Sequence, residues 1–253
     1  MAAGPVSRAF VDLHVHTSAS FDSLASPASV VRAAVSRGLT HLAITDHDTI
    51  EGALAARDVV SRESLAITIL IGQEVKTTEG DLIAVFIEQP IETGLSPTDA
   101  IAAIRSQGGL VGIPHPFDRF RGSLLASREA AAGHADLDAG PAALAPLVDW
   151  VEAHNARVMV GDGNERAAAF AREHALPGTA VSDAHSTLEV GVAYAALDID
   201  PATPAALMAG LPGAELVTGR ATYFVRAVTP VAKLVQRARG RGRRSPSSTK
   251  AGR

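Results

Sequence analysis

The chain contains no cysteine, so disulfides and thiolate metal sites are excluded and any bound metal must rest on His, Asp and Glu. No apolar run approaches the roughly eighteen residues that span a bilayer, which excludes a membrane helix and predicts a soluble protein. Residues Met1 to Arg8 lack the charged-then-apolar layout of a secretory signal, so the expected location is the cytoplasm. Gly-x-Ser-x-Gly, the Walker phosphate loop and the dinucleotide fingerprint are also missing. Serine-triad hydrolysis, P-loop chemistry and nicotinamide chemistry are therefore poor candidates.

Acid is scarce at one end. Arg237, Arg239, Arg241, Arg243, Arg244, Lys250 and Arg253 form a tail of seven positive charges without a carboxylate, and since the whole chain is −4, residues 1–236 hold −11. Such a tail can touch nucleic acid or an anionic membrane. Interleaved with Gly, Ser and Pro and lacking aromatics, it reads more simply as a disordered, solvated end. The expected organisation is a disordered 1–8, one folded domain over 9–236 and a basic disordered tail over 237–253. At 253 residues, 47% of them hydrophobic, that domain can bury a large core.

What is present is a repeated pattern of short apolar runs ending in ligand-type residues. Ala9 to Val15 reads as a buried strand that closes on Asp12-Leu13-His14-Val15-His16-Thr17. Period two aims His14 and His16 to the same side, where two neutral imidazoles can grip one cation. Taken alone the pair is weak, since two histidines at a half-exposed strand end look the same. Asp46-His47, Gln73-Glu74, Pro114-His115 and Ser182-Asp183-Ala184-His185 repeat the arrangement after other apolar runs.

Between these runs lie helix signals. Ser26-Pro27 and Ser96-Pro97 are N-caps followed by proline at the first helical position, and Asp48 with Glu51 is spaced as a capping box opening a helix to about Arg62. Asp81 to Ile87 follows the Ala66–Ile71 strand so closely that the two are expected to pair antiparallel. Phe117 to Ala139 is a long polar stretch expected to loop over the site, with a short helix at Leu124 to Ala132. Thr229 to Arg239 predicts a closing helix. Strand–helix units at this pitch predict an α/β fold, most economically a closed barrel with its reactive residues at the strand C-termini.

The candidate set is His14, His16, Asp22, His47, Glu74, His115, Asp183 and His185, five imidazoles and three carboxylates. One tetrahedral ion takes about four ligands, so two or three divalent ions are implied, with Glu74 or Asp183 as a bridge. Ions so placed make a water acidic enough to attack as hydroxide at neutral pH, and they attract an anionic substrate. A phosphate ester is the natural target, with Glu74, Asp183 and His185 as the residues expected to carry catalysis.

In order along the chain, Asp-Leu-His-Val-His-Thr, Ile-Thr-Asp-His-Asp-Thr, Gly-Gln-Glu-Val, Pro-His-Pro-Phe and Ser-Asp-Ala-His-Ser resemble the motifs of the PHP (polymerase and histidinol phosphatase) superfamily over about Phe10 to Ala196. The resemblance implies a distorted (β/α)7 barrel with a trinuclear centre of manganese, iron or zinc that hydrolyses phosphate esters. It implies that His14, His16, Glu74 and Asp183 hold one ion, Glu74 and His115 a second, and Asp22, His47 and His185 a third. A further family histidine is absent here, and Asp81 is its nearest counterpart.

The compact chain is most similar to stand-alone members acting on nucleotides or RNA ends, so the expected substrate is a small phosphorylated metabolite, a nucleotide or an oligonucleotide end. Asp46 is expected to orient His47 or a neighbouring ligand from behind. Arg119, Arg121, Asn155 and Arg157, with Glu152 beside them, are candidates for gripping the substrate phosphate. Two alternatives stay open. One is a histidinol-phosphate-type phosphatase; the other is a non-catalytic metal-binding module docking onto a nucleic-acid enzyme through its basic tail.

Overall fold

The computed structural model describes residues 8–118, 121–127, 141–158, 160–222 and 228–240. The elements in chain order are β1 (Ala9–Val15), α1 (Pro27–Ser36), β2 (His41–Ile44), α2 (Glu51–Glu63), β3 (Thr68–Lys76), β4 (Asp81–Val85), α3 (Pro97–Ser106) and β5 (Leu110–Ile113). A 3-10 helix (Pro141–Leu147), β6 (Trp150–Asn155), α4 (Gly163–Glu173), β7 (Gly178–Val181), β8 (Tyr194–Leu197), α5 (Pro204–Gly210), β9 (Glu215–Val217) and α6 (Val228–Ala238) follow.

The sheet order is β7-β6-β5-β4-β3-β2-β1-β8-β9. Pairs β1–β2, β2–β3, β5–β6 and β6–β7 are parallel, while β4 runs against both its neighbours. The sheet curls until β7 returns to β1: Val15 bridges Ala184 in parallel, and the His16 N–H donates to the Ala184 carbonyl at 2.8 Å. This is the expected distorted (β/α)7 barrel, nearly closed. At the opposite end of β1, antiparallel β8 and then β9 extend the sheet, a direction that apolar patterning does not encode.

The inner face explains where a site can form. Val11 and Leu13, Ala43, Leu70, Ile83 and Val85, Leu110, Trp150 and Val181 fill one end of the barrel interior as a single apolar cluster. Residues of alternate parity, such as Leu42, Ile44, Val75, Leu82 and Val111, pack outward under the helices. Continuing along the inner face from the apolar plug leads to Glu74 from Leu70, to Glu152 from Trp150 and, because β4 runs backwards, to Asp81 from Ile83. In β1 the register shifts between Asp12 and Val15, so Val15 packs outward while His14 and His16 turn inward.

Gly112 on β5 makes room for the fully buried Trp150: a Cβ there would stand 2.3 Å from the indole Cε2. Neither a strand backbone nor a rigid ring yields cheaply. Gly112→Ala should therefore destabilise the fold by about 1–3 kcal/mol, the usual cost of overpacking, read as a lower midpoint in urea.

Both Ser-Pro caps form, with Ser26 Oγ accepting from Ser29 N at 3.2 Å and Ser96 Oγ from Asp99 N at 3.1 Å. The Asp48–Glu51 capping box does not. Asp48 sits at φ +59° and its Oδ1 accepts from the Lys76 N–H of β3 at 3.3 Å, so a tertiary contact claims the side chain. Helix α2 begins at Glu51 behind Ile50, with no side-chain cap. Strand β3 runs past Glu74 to Lys76 rather than ending there, because pairing with β4 continues from Gly72–Val85 to Lys76–Asp81. His41 is buried at the start of β2. Helix α6 extends to Ala238, just into the span expected to be tail. Residues 1–7, 241–253, Arg119 and most of the 117–139 stretch lie outside the described residues.

Candidate metal centre

The eight candidate residues meet at the top of the barrel, although they are spread along the chain from β1 to the loop after β7. His14 and His16 come from the end of β1, His47 from the loop after β2, Glu74 from β3, and His115 from the loop after β5. Asp183 and His185 follow β7, and Asp22 lies on the loop between β1 and α1. All eight are buried or nearly so. His115 and Asp183 have positive φ, +29° and +51°, an unfavourable backbone of the kind that concentrates at functional sites.

Three groups of ligand-type atoms form: His14, His16 and Glu74; Glu74, Asp81 and His115; and His16, Asp22, His47 and His185, each within 4.8 Å. Glu74 is common to the first two and divides its oxygens. Oε1 lies 3.1 Å from His115 Nε2, while Oε2 lies 3.3 Å from both His14 Nε2 and His16 Nε2 and 3.2 Å from His47 Nδ1. Asp183 Oδ1 completes the first group at 3.7 Å from His14 Nε2 and 3.6 Å from His16 Nε2.

The donor set fits divalent cations. His185 Nδ1 is 2.8 Å from the Asp183 carbonyl, which can only accept, so Nδ1 carries the proton and Nε2 presents a lone pair. That lone pair faces Asp22 Oδ2 at 3.2 Å. Burial, with the nearby charge of Arg157, depresses His185 to about 3, whereas Asp22 is held well below the carboxylate range, against its burial, chiefly by His47. Two electron-pair donors thus face each other without a proton between them. Asp22 Oδ1 and His47 Nδ1 are likewise buried without a hydrogen-bond partner among the described residues.

The same electrostatics run through the cluster. Burial alone would push the Glu74 carboxyl up, yet His47 and His14 hold it well below its usual range. Asp183 is held down, also against burial, by Arg121 and His14. Burial pulls His47 down, but Glu74 and Asp22 outweigh it and raise the ring to about 9. An ionised, oxygen-and-nitrogen cluster is a natural cation cage.

Matches to two family models cover much of the chain: the PHP domain over residues 12–135 and the PHP-associated region over 161–212. The chain belongs to the PHP superfamily. An uncharacterized protein of Methanocaldococcus jannaschii is 36% identical over 116 residues, 42% of this PHP chain and 67% of that protein. The 5'-3' exoribonuclease Rnm of Salmonella typhimurium is 47% identical over 66 residues, 26% of this chain and 22% of the exoribonuclease. Among solved structures, a two-domain protein from Bacteroides vulgatus containing a predicted PHP-like metal-dependent phosphoesterase superposes with a TM-score of 0.64 at 17% identity. That match covers 84% of this chain and 65% of that one.

Behind the candidate ligands stands a layer of residues whose packing role the sequence did not show. Glu152 Oε1 lies 2.6 Å from His14 Nδ1, and its Oε2 accepts from the His115 N–H and Asn155 Nδ2, each at 2.8 Å. Glu152 and Asn155 lie within β6, and a carboxylate directly after the apolar pair Trp150-Val151 was the available signal. Ser20 Oγ accepts from the His47 N–H at 3.0 Å and sits 3.3 Å from His16 Nδ1. Asp12 accepts from the backbone N–H groups of Ser182 and Gly191 at 3.1 and 3.2 Å, tying β1 to the loop that carries Asp183.

Other expected roles fall differently. Asp46 makes its hydrogen bonds beside the neighbouring candidate His16 and not to His47: Oδ1 accepts from Thr17 N at 2.6 Å and Oδ2 from Thr17 Oγ1 at 2.7 Å, fixing the turn after His16. Arg157 is buried away from the cavity, its NH2 donating to Thr229 at 2.7 Å and its Nε 3.6 Å from Glu189, so it is not placed to grip a substrate phosphate. Arg121 does line the cavity, bonded to Asp183, to Asp118 at 2.8 Å and to Asn155 at 3.3 Å. That cavity, about 230 Å³, is walled also by Phe21, Asp22, His47, Glu74, Asp81, His115, Gly122, Asp183, His185 and Lys233. No helix among the described residues is long and apolar enough to cross a membrane.

Proposed function

We propose that the chain is a metal-dependent phosphoesterase that hydrolyses a phosphate ester at the end of a nucleotide, an oligonucleotide or a small phosphorylated metabolite. The observation that carries this reading is the division of Glu74: one oxygen toward His115 and the other toward His14, His16 and His47, in a cavity walled by ligand-type side chains. In the proposed assignment His14, His16, Glu74 and Asp183 hold one ion, Glu74, His115 and Asp81 a second, and Asp22, His47 and His185 a third, of manganese, iron or zinc. Divalent ions bound there would neutralise the phosphate and make a water acidic enough to attack at neutral pH.

The chain's own residues then divide the work. Arg121, locked between Asp183 and Asp118, keeps a fixed positive charge on the cavity wall where phosphate oxygens enter. Asn155 bonds Asp183 Oδ2 at 3.0 Å and so aims that carboxylate's other oxygen at His14 and His16. Similarity to the exoribonuclease over its 66-residue match favours a nucleic-acid end over a metabolite.

The test is metal analysis of protein purified without chelator, with a panel of phosphomonoesters assayed before and after stripping. Stripped protein should lose turnover by on the order of 10³-fold and regain it on adding manganese or zinc. Bound metal with no hydrolysis of any ester would favour the non-catalytic module instead.

A further inference from the structure

We infer that Lys233, carried to the mouth of the cavity by α6, binds a second anionic group of the substrate, which makes the substrate class a phosphate ester flanked by another phosphate, as at an oligonucleotide end. The inference rests on the proposed phosphoesterase reading.

Thr229, Lys233 and Gln236 are spaced i, i+4 and i+7 and therefore share one stripe of α6. Both ends of that stripe are tied to the site. Thr229 Oγ1 accepts from Arg157, whose Nε lies beside Glu189, and Glu189 Oε2 accepts from the His185 N–H at 3.1 Å. Gln236 is fully buried and its Nε2 lies 2.9, 3.0 and 2.9 Å from the carbonyls of Ser18, Ser20 and Ser23, the loop that carries Asp22. The helix is thus pinned to the loops of two ligand residues, and Lys233 between the pins has a fixed station.

That station is at the rim. Lys233 is exposed and lines the cavity, its Nζ 5.4 Å from the centre of the Phe21 ring, which itself lies 4.8 Å from the His47 ring. Among the described residues no carboxylate forms an ion pair with it. A cation held over an aromatic face with no acidic partner keeps its charge for a ligand. The cavity's 230 Å³ falls below the roughly 300–1,000 Å³ of pockets that enclose a whole small molecule. Only the phosphate end of a substrate enters, and the remainder emerges past Phe21 and Lys233.

The test compares the full-length, metal-loaded wild type, Lys233→Gln and Lys233→Arg. Binding of ethylphosphonate and of a 5′-phosphonate dinucleotide is measured by calorimetry, alongside KM for glycerol phosphate and for a 5′-phosphorylated dinucleotide. Lys233→Gln should weaken the dinucleotide ligands about tenfold, with metal content and the single-phosphate ligands unchanged, and Lys233→Arg should restore most of the loss. The salt dependence of dinucleotide binding should flatten by about 0.7 in log–log slope, one phosphate contact on a single strand. Equal weakening of both ligand classes, or of neither, overturns the inference, as does a wild type that binds no dinucleotide. If no ester is hydrolysed but the phosphonate dinucleotide still depends on Lys233, the phosphoesterase reading fails while the anion site stands.

Discussion

Glu74→Gln should lower phosphoesterase turnover by on the order of 10³-fold and reduce bound metal, while circular dichroism shows the barrel intact. The substitution preserves shape and removes one oxygen. In the wild type Oε1 serves His115 and Oε2 serves His14, His16 and His47, so both lone-pair sets are engaged. A glutamine can present its carbonyl to one group only. Its NH2 must then point at the other, where it offers hydrogens in place of electron pairs and cannot coordinate a cation. The metal-free fold should suffer far less than activity, since the neighbouring rings can shed protons once their counter-charge is gone. Metal analysis beside the assay decides the matter, and unchanged metal content with unchanged turnover would refute Glu74 as a shared ligand.

The legible part of this site was the part written in local pattern. His14 and His16 follow an apolar strand, Asp183 and His185 another, and a polar residue closing a buried run announces itself without any structure. Glu74 was found for the same reason, although β3 continues beyond it because β4 supplies a pairing partner. Tertiary partners were not legible. Asp48 carries a good capping signature, but the Lys76 N–H competes for it from 28 residues away. Arg157 looked like a phosphate grip because its charge was visible, whereas Glu189 and Thr229, which hold it inside, are distant in sequence. The direction of β8 was hidden too, since alternation reports a buried face and not the sense of the strand. Lys233 was within reach, for Thr229, Lys233 and Gln236 stand at helical spacing, but what that stripe packs against is set by the fold.

Glu152→Gln is the second large effect, and it is expected to weaken metal binding and turnover by about 10–100-fold although Glu152 is not a proposed ligand. His14 can offer Nε2 to a cation only if its proton sits on Nδ1, and Glu152 Oε1, 2.6 Å away, is the acceptor that keeps it there. Glu152 Oε2 meanwhile accepts two N–H groups, from the backbone of His115 and the side chain of Asn155. A glutamine fails in either orientation. With its NH2 toward His14 it donates to Nδ1, which forces the proton onto Nε2 and removes the electron pair that a metal needs. With its carbonyl toward His14 the NH2 meets the His115 N–H and the Asn155 amide, three donors with no acceptor, and the strained backbone at His115 loses its anchor. Glu152→Asp keeps the acceptors but shortens the reach, so it should fall between wild type and glutamine. Metal affinity by competition with a chelator measures the series directly, and a Glu152→Gln protein that binds metal as tightly as the wild type would mean that the His14 proton is held by something other than Glu152.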